Sequence, residues 1–294
     1  MIKIGTRGSK LAMWQAEHFQ QLLNEINIES SIIVLKTKGD RIQNLSFDKI
    51  EGKGFFTKEI EDALLAEEID VAVHSLKDLP TESPEGLVIA GLSSRANPAD
   101  LLLIREDSYD EQQPFKLKKG SIVGTSSQRR KSLVRYFRPD ISLKDIRGNV
   151  PTRIQKLKDG NFDAIVIAKA GVDRINARIE GLHSRVLNPK EFISAPGQGV
   201  IAFQTREGEI DIRKMLGRLS DKNLVDTVNV ERKVLKLLEG GCHMPIGVYC
   251  EKDDLGNFHV WSCYGNNWKD DLNFVQYSSN TKFELAETIA NKLK

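Results

Sequence analysis

Hydrophobic positions in the first quarter of the chain switch between two periods. Residues 3–6 read as a short strand, and residues 9–26 set Leu11, Ala12, Ala16, Phe19, Leu22, Leu23 and Ile26 near one face of a helix. Residues 32–36 form a β-branched strand, residues 57–68 a helix with acids in its first turn, and residues 70–75 an alternating buried strand. Strands alternating with helices predict a mostly parallel sheet covered by helices.

Part of this order returns later. Gly5-Thr6-Arg7 before a helix is echoed 119 positions on by Gly124-Thr125-Ser126-Ser127, which precedes a helical pattern over residues 128–137. Ile69-Asp70-Val71-Ala72-Val73 is echoed 93 positions on by Phe162-Asp163-Ala164-Ile165-Val166. Two related α/β lobes follow from these echoes. Residues 93–98 and 191–199 carry the Pro, Ala, Gly and Asn of crossings between lobes, which predicts a hinge. Residues 200–204 would then return to the first sheet as an added strand. Such a bilobal clamp is similar to periplasmic binding proteins, a likeness at the level of fold only.

From residue 221 the pattern changes to a long helix reaching residue 239, strands near 246–251, 258–264 and 273–277, and a terminal helix from 283. Short polar turns between those strands fit an antiparallel sheet. The predicted fold class is α/β: two periplasmic-binding-protein-like lobes with doubly wound mixed sheets, plus a small C-terminal α+β domain with an antiparallel three-stranded sheet. The predicted boundaries are 1–95 with 195–215 for the first lobe, 96–194 for the second, and 216–294 for the third domain.

Composition narrows the function. A chain of 294 residues exceeds the usual size of one core, in keeping with several domains. Its 43 basic and 41 acidic residues leave a net charge of +2, too little for a global field drawing in nucleic acid or an anionic membrane. Anion binding must therefore be local. No apolar run approaches the ~20 residues of a membrane span, and the N-terminus runs straight into a strand, so a cytoplasmic location is expected. Cys242, Cys250 and Cys263 make neither a disulfide framework nor a paired zinc motif.

Several residues could carry chemistry. The two Gly-Thr turns put small polar residues where a helix begins, exposing backbone N–H groups that either hold an anion or are simply capped by Ser9 and by Ser126 or Ser127. Arg7, Arg129, Arg130, Arg147 and Arg153 fall near probable strand ends, and guanidinium groups bind carboxylates through paired hydrogen bonds. A surface charge run is the competing reading, and it suits Arg135 and Arg138 better than Arg147. Residues 49–56, with Lys49, Lys53 and two aromatics among glycines, read as either a lid or a plain loop. His74-Ser75-Leu76-Lys77-Asp78-Leu79-Pro80 begins where a buried strand reaches its C-terminal edge, where α/β sheets bind ligands. Asp78 is there a turn former or a catalytic carboxylate. Cys242 sits on a Gly-flanked turn limited by Pro245 and is either a buried hydrophobe or an exposed thiol.

Taken together, these segments resemble the porphobilinogen deaminase (hydroxymethylbilane synthase) family. The resemblance rests on Gly5-Thr6-Arg7 with Ser9, Leu11, Trp14 and Gln15; on Gly52-Lys53-Gly54 with Phe56; on residues 74–80 and 124–130; on Arg147-Gly148-Asn149-Val150; on Gly197-Gln198-Gly199; and on Glu239-Gly240-Gly241-Cys242 with Pro245. These occur in family order from residue 5 to residue 247 with roughly family spacing. The resemblance implies a transferase of tetrapyrrole biosynthesis. Such enzymes join four porphobilinogen molecules head to tail, lose ammonia at each addition, and release hydroxymethylbilane by hydrolysis.

It further implies a dipyrromethane cofactor held by a thioether to Cys242 as the primer of elongation. Asp78 would hold pyrrole N–H groups and assist proton transfer. Ser9, Lys77, Asp78, Thr125, Ser126, Ser127, Arg129, Arg130, Arg147 and Gly148 would contact the cofactor. Arg7, Phe56, Arg147, Arg153, Arg174 and Gln198 would contact substrate, with Lys49 and Lys53 in the lid. A monomer that passes hydroxymethylbilane to a downstream uroporphyrinogen-III synthase is implied, without metal, nucleic acid or membrane. Pro151, Lys169 and a short C-terminus depart from the commonest family pattern. Pro151 is compatible with a helix that begins at Asn149 or Val150.

The competing account is a non-catalytic bilobal binding protein for a small carboxylate or phosphate, which gives Cys242 no role. A phosphate-gripping transferase would need a phosphate loop, and no GxxxxGK[ST] run occurs.

Overall fold

The computed structural model describes residues 1–36, 57–239 and 244–294. The chain divides into two compact units, Met1–Ala96 with Gly199–Val225, and Asn97–Gln198 with Asp226–Lys294.

The first unit opens with β1 (Ile2–Arg7) and α1 (Lys10–Glu25). Ser9 ends the strand and starts the helix, its Oγ accepting from the Ala12 N–H at 3.3 Å. There follow β2 (Ser30–Leu35), α2 (Lys58–Leu65), β3 (Val71–Ser75) and β4 (Leu87–Leu92). The helix expected to reach residue 68 stops at Leu65, because the chain turns at Glu67 with φ 60° to enter β3. β10 (Ile201–Arg206) returns to this sheet in the order β2-β1-β3-β10-β4, running antiparallel to β3 and to β4. This is the place the sequence pattern foresees for residues 200–204. α6 (Ile210–Arg218) completes the unit. Apolar side chains cover both faces: Ile4, Phe19, Leu23, Val73, Phe203 and Leu216 on one, Ile60, Leu64, Ile69 and Leu87 on the other. Phe19 and Phe203 stack at 4.2 Å, adding a directional contact to the buried area.

The second unit begins with β5 (Asp100–Arg105), followed by β6 (Ile122–Gly124), α3 (Gln128–Phe137), β7 (Ser142–Lys144), α4 (Val150–Lys158), β8 (Ala164–Ala168), α5 (Lys169–Arg174) and β9 (Leu182–Leu187). The strand order β7-β6-β8-β5-β9 reproduces that of the first sheet, with β5 antiparallel to β8 as β10 is to β3. The two lobes are thus related in topology, and in matching contacts. Asp70 accepts from the Lys3 N–H at 2.8 Å and returns its own N–H to the Lys3 carbonyl. Asp163 does the same to Ile122, accepting at 2.7 Å. A Cβ on Gly5 would meet Ile69 Cδ1 at 2.2 Å, and one on Gly124 would meet Phe162 Cδ1 at 2.8 Å. Glycine at both positions makes room for the apolar side chain that leads into the neighbouring strand, β3 or β8.

The C-terminal part carries α7 (Lys222–Leu237), the antiparallel β11 (Ile246–Lys252), β12 (Phe258–Tyr264) and β13 (Asn273–Ser279), and α8 (Leu285–Leu293). α7 ends two residues short of the expected position, with Glu239 at φ 52°, and α8 starts after Glu284, also at φ 52°. Its own core unites Val234, Val248, Val260 and Ile289. Cys263 instead enters the core of the second lobe with Phe192 and Ile193, and the Val248 N–H donates to the Ser194 carbonyl at 3.0 Å. The fold class is therefore the predicted one: α/β lobes with mixed sheets and a small antiparallel three-stranded sheet with helices.

Candidate active site

In the first lobe the C-terminal ends of the parallel neighbours β1 and β3 share one edge of the sheet. Arg7 ends β1 and Ser9 follows it, while Ser75 ends β3 and Lys77 and Asp78 follow it. The edge is braced from within. Gln15 of α1 donates to Ser75 Oγ at 2.8 Å, Thr6 Oγ1 donates to the Ala12 carbonyl at 3.0 Å, and the Leu76 N–H donates to the Val200 carbonyl at 3.0 Å. Lys77 and Asp78 occupy a single 3-10 turn between buried Leu76 and Leu79, with Lys77 half-buried and the Asp78 carboxylate exposed.

Just beneath lies a buried polar chain. Gln204 of β10 donates to Glu61 Oε1 at 3.2 Å, and Thr57 Oγ1 donates to Glu61 Oε2 at 3.1 Å. Among the described residues, His74 Nε2 and Gln204 Oε1 find no hydrogen-bond partner within normal geometry. Burial pushes the His74 imidazole down from 6.5 to about 4; interaction with Gln204 opposes this and the Arg7 charge reinforces it.

In the second lobe, three parallel strands, β7, β6 and β8, end on one edge. After β6 come buried Thr125 and half-buried Ser126 and Ser127. Ser127 caps α3 by accepting from the Arg130 N–H at 3.5 Å, so the cap belongs to Ser127. Ser126 instead bridges two turns. Its Oγ donates to the Ile146 carbonyl at 2.8 Å and accepts from the Ile146 N–H at 3.0 Å, tying this turn to the one after β7. There Arg147 is half-buried, Gly148 has φ +115°, and Asn149 caps α4 by accepting from the Thr152 N–H at 3.0 Å. Pro151 sits in the first turn of that helix, which removes the first family departure as an obstacle. Arg153 Nε donates to the Gly148 carbonyl at 2.7 Å, and Lys156 donates to the Arg147 carbonyl at 3.0 Å. Lys169, the second departure, pairs with Asp173 one turn on at 2.7 Å. Arg174 ends α5, and burial pushes its guanidinium down to about 10.

The predicted residues Arg129, Arg130 and Gln198 converge on a carboxylate that the motif reading does not single out. Asp100, fully buried at the start of β5, accepts from Arg129 Nη1 at 2.8 Å, from Arg130 Nη2 at 2.7 Å and Nε at 3.1 Å, and from Gln198 Nε2 at 3.0 Å. Burial works to raise its carboxyl, but the two arginines hold it well below the usual carboxylate range. Arg129 also donates to the Ile193 carbonyl at 2.7 Å, Arg130 to the Val166 carbonyl at 3.1 Å, and Gln198 to the Pro98 carbonyl at 2.7 Å. Removing one member of such a buried ionic set leaves an uncompensated charge, at about 3 to 5 kcal/mol. A sequence signal for Asp100 did exist: an aspartate flush against Leu101-Leu102-Leu103-Ile104 must be buried with the apolar run and needs cationic partners.

Arg138, expected at the surface, is instead buried, paired with Asp140 at 2.7 Å and donating to the Leu117 carbonyl at 2.8 Å. Cys250 and Cys263 are buried, and burial pushes the Cys263 thiol up to about 12. Lys49, Lys53, Phe56 and Cys242 lie outside the described residues.

Comparison with known proteins decides the family. Residues 2–214 match the family model "Porphobilinogen deaminase, dipyromethane cofactor binding domain", and residues 225–265 match "Porphobilinogen deaminase, C-terminal domain". The chain belongs to the porphobilinogen deaminase family. A porphobilinogen deaminase of Nitratidesulfovibrio vulgaris is 44% identical over 261 residues, covering 87% of this chain and 81% of the relative. That of Bacillus subtilis is 42% identical over 250 residues, 84% of this chain and 78% of the relative. An arginine-specific periplasmic binding protein of Salmonella typhimurium aligns over 74% of this chain and 90% of its own at 11% identity and TM-score 0.44, too weak a likeness to bear on function. Porphobilinogen deaminases are transferases of tetrapyrrole synthesis carrying dipyrromethane, and Cys242 falls in sequence within the C-terminal match.

The residues of the second lobe fit such a group. Dipyrromethane bears several carboxylates, and the edge of this lobe offers hydroxyls at Thr125, Ser126 and Ser127, the N-termini of α3 and α4, and half-buried Arg147. Among the described residues no cluster of His, Cys, Asp and Glu suits a metal ion.

Proposed function

We propose that this chain joins four porphobilinogen molecules head to tail, with loss of ammonia at each addition, and releases hydroxymethylbilane by hydrolysis. Cationic and hydroxyl donors on one edge of the second lobe, which suit a product bearing many carboxylates, carry this reading together with the family match. Bound dipyrromethane supplies the primer to which new rings are joined.

Asp78 is assigned the catalytic role. Its carboxylate is exposed on a braced turn at the C-terminal end of a buried strand, free to accept pyrrole N–H groups, to stabilise cationic pyrrole nitrogen and to move a proton. Lys77 and Ser9 are assigned to the cofactor with Thr125, Ser126, Ser127, Arg147 and Gly148, as are Arg129 and Arg130, whose guanidinium groups are already engaged by Asp100. Arg7, Arg147, Arg153, Arg174, Gln198 and Phe56 are assigned to substrate, Lys49 and Lys53 to a lid, and Cys242 to the thioether. The division proposed is 1–95 with 195–215, 96–194 and 216–294. The protein is further proposed to act as a cytoplasmic monomer that passes its product to a uroporphyrinogen-III synthase, since an unstable linear bilane calls for a cyclising enzyme next.

The test is the denatured intact mass of wild type and Cys242→Ser before and after incubation with porphobilinogen. An adduct of two linked pyrroles in wild type, absent from Cys242→Ser and lengthened by substrate, is the expected result. A wild type without adduct even after substrate would overturn the reading in favour of a non-catalytic anion-binding clamp.

A further inference from the structure

Arginines at positions two and three of a helix are electrostatically misplaced, because the N-terminal end of the helix is already positive. Arg129 and Arg130 sit there in α3, and both are more than nine-tenths buried. Among the described residues a single carboxylate, that of Asp100, forms ion pairs with them, so the cluster of three retains one positive charge in a buried setting. That carboxylate is shared: Oδ2 takes Arg129, while Oδ1 takes Arg130 through two nitrogens together with Gln198. Four donors therefore converge on this carboxylate, three on Oδ1 and one on Oδ2.

The cluster also holds backbone. Gln198 reaches the Pro98 carbonyl and Arg129 the Ile193 carbonyl, so the segments flanking β5 and preceding residue 199 are tied to the start of α3. The neighbouring turn carries Ser126 and Ser127, whose hydroxyls are fixed to Ile146 and to the Arg130 N–H. Any tilt of the first turn of α3 would displace both.

We propose that Asp100 is a positioning residue for dipyrromethane loading: by fixing Arg129 and Arg130 in the first turn of α3, it orients the cationic and hydroxyl edge of the second lobe toward carboxylates. The inference rests on the function proposed above. Asp100 itself is wholly buried and acts through the two arginines rather than at the reacting atoms.

The experiment follows loading rather than turnover. Protein made in cells unable to form porphobilinogen is incubated with porphobilinogen, and the dipyrromethane adduct is timed by denatured intact mass. Wild type, Asp100→Asn, Arg129→Gln and the double variant are compared well below their melting temperatures, after circular dichroism has established that each is folded. Asp100→Asn is expected to load at least fivefold more slowly and to need more porphobilinogen for half-maximal rate. In the Arg129→Gln background the same change should have less than half that effect, because its action passes through the arginine. If Asp100→Asn fails to fold, Asp100→Glu, which keeps the charge but displaces the guanidinium groups, is read by the same criteria. A purely structural Asp100 would lower the melting temperature and leave loading of folded protein within fivefold of wild type, which would overturn the proposal. Equal effects in both backgrounds would also overturn it. A wild type that never gains the adduct removes the function itself, a result distinct from normal loading in the variant.

Discussion

Asp78 and His74 stand four residues apart and face opposite physical demands. Asp78 is exposed on a turn whose neighbours Leu76 and Leu79 are buried, so Asp78→Asn should leave the fold intact while removing the charge meant for cationic pyrrole nitrogen. The expected loss is about 3 kcal/mol in kcat, the scale of one preorganised electrostatic group, read from single-turnover rates beside an unchanged dichroism spectrum. Near-normal turnover would remove Asp78 from catalysis. His74 is buried against Gln204, with Glu61 beyond it and Arg7 near, and stays neutral down to about pH 4, whereas an unfolded histidine takes a proton near 6.5. Below pH 6.5 the unfolded chain therefore binds more protons than the fold, and stability falls as pH is lowered, by roughly 3 kcal/mol on reaching pH 4. Urea midpoints of wild type and His74→Gln from pH 7 to pH 4 check this: the variant should lose part of the slope, and identical slopes would refute the assignment. At this scale Asp78 was legible, since its position after a buried strand follows from the motif. The burial of Asp100 had a local signal, but its pairing with Arg129 and Arg130 did not, because hydrogen bonding between residues about 30 apart has no local pattern.

Elements behaved as their periodicity requires where they are long. The helix read over residues 9–26 is Lys10–Glu25 with Ser9 as its cap, and the paired echoes at 119 and 93 positions became matching Asp70 and Asp163 anchors. Short or uniformly apolar strands were harder. Asp100–Arg105 lacks a polar alternation because it lies inside its sheet with both faces buried, whereas Leu87–Leu92 is equally apolar although it stands at the edge of the first sheet and is only half-buried in the middle. The long helix α7 illustrates a connection that periodicity cannot reveal. Glu231 of α7 is 1% exposed, and it accepts from the Gly197 N–H at 2.7 Å and from the Cys250 N–H at 2.9 Å. Glu231→Ala would leave two buried donors without that acceptor, at about 2 to 4 kcal/mol. The urea midpoint should fall accordingly, with faster amide exchange at Gly197 and Cys250; an unchanged midpoint would mean that water replaces the carboxylate.

For the whole molecule, the sequence alone established two repeated α/β lobes followed by an antiparallel module, because hydrophobic period and turn chemistry are local properties that recur when a structural unit recurs. Its motifs likewise marked Thr125, Ser126, Ser127 and Arg147 as candidates at strand ends. Tertiary structure decided which side chains are spent on the fold. Arg138 proved buried and paired, Ser126 became a bridge to Ile146 rather than a cap, and Cys263 joined the core of the second lobe beside Phe192 and Ile193, far from it along the chain. It also decided that Asp100, not a ligand alone, meets Arg129 and Arg130. The physical reason is the same in each case: the sign of a charge and the period of a helix are written along the chain, whereas burial and the choice of partner depend on which distant segments the fold brings within hydrogen-bonding distance.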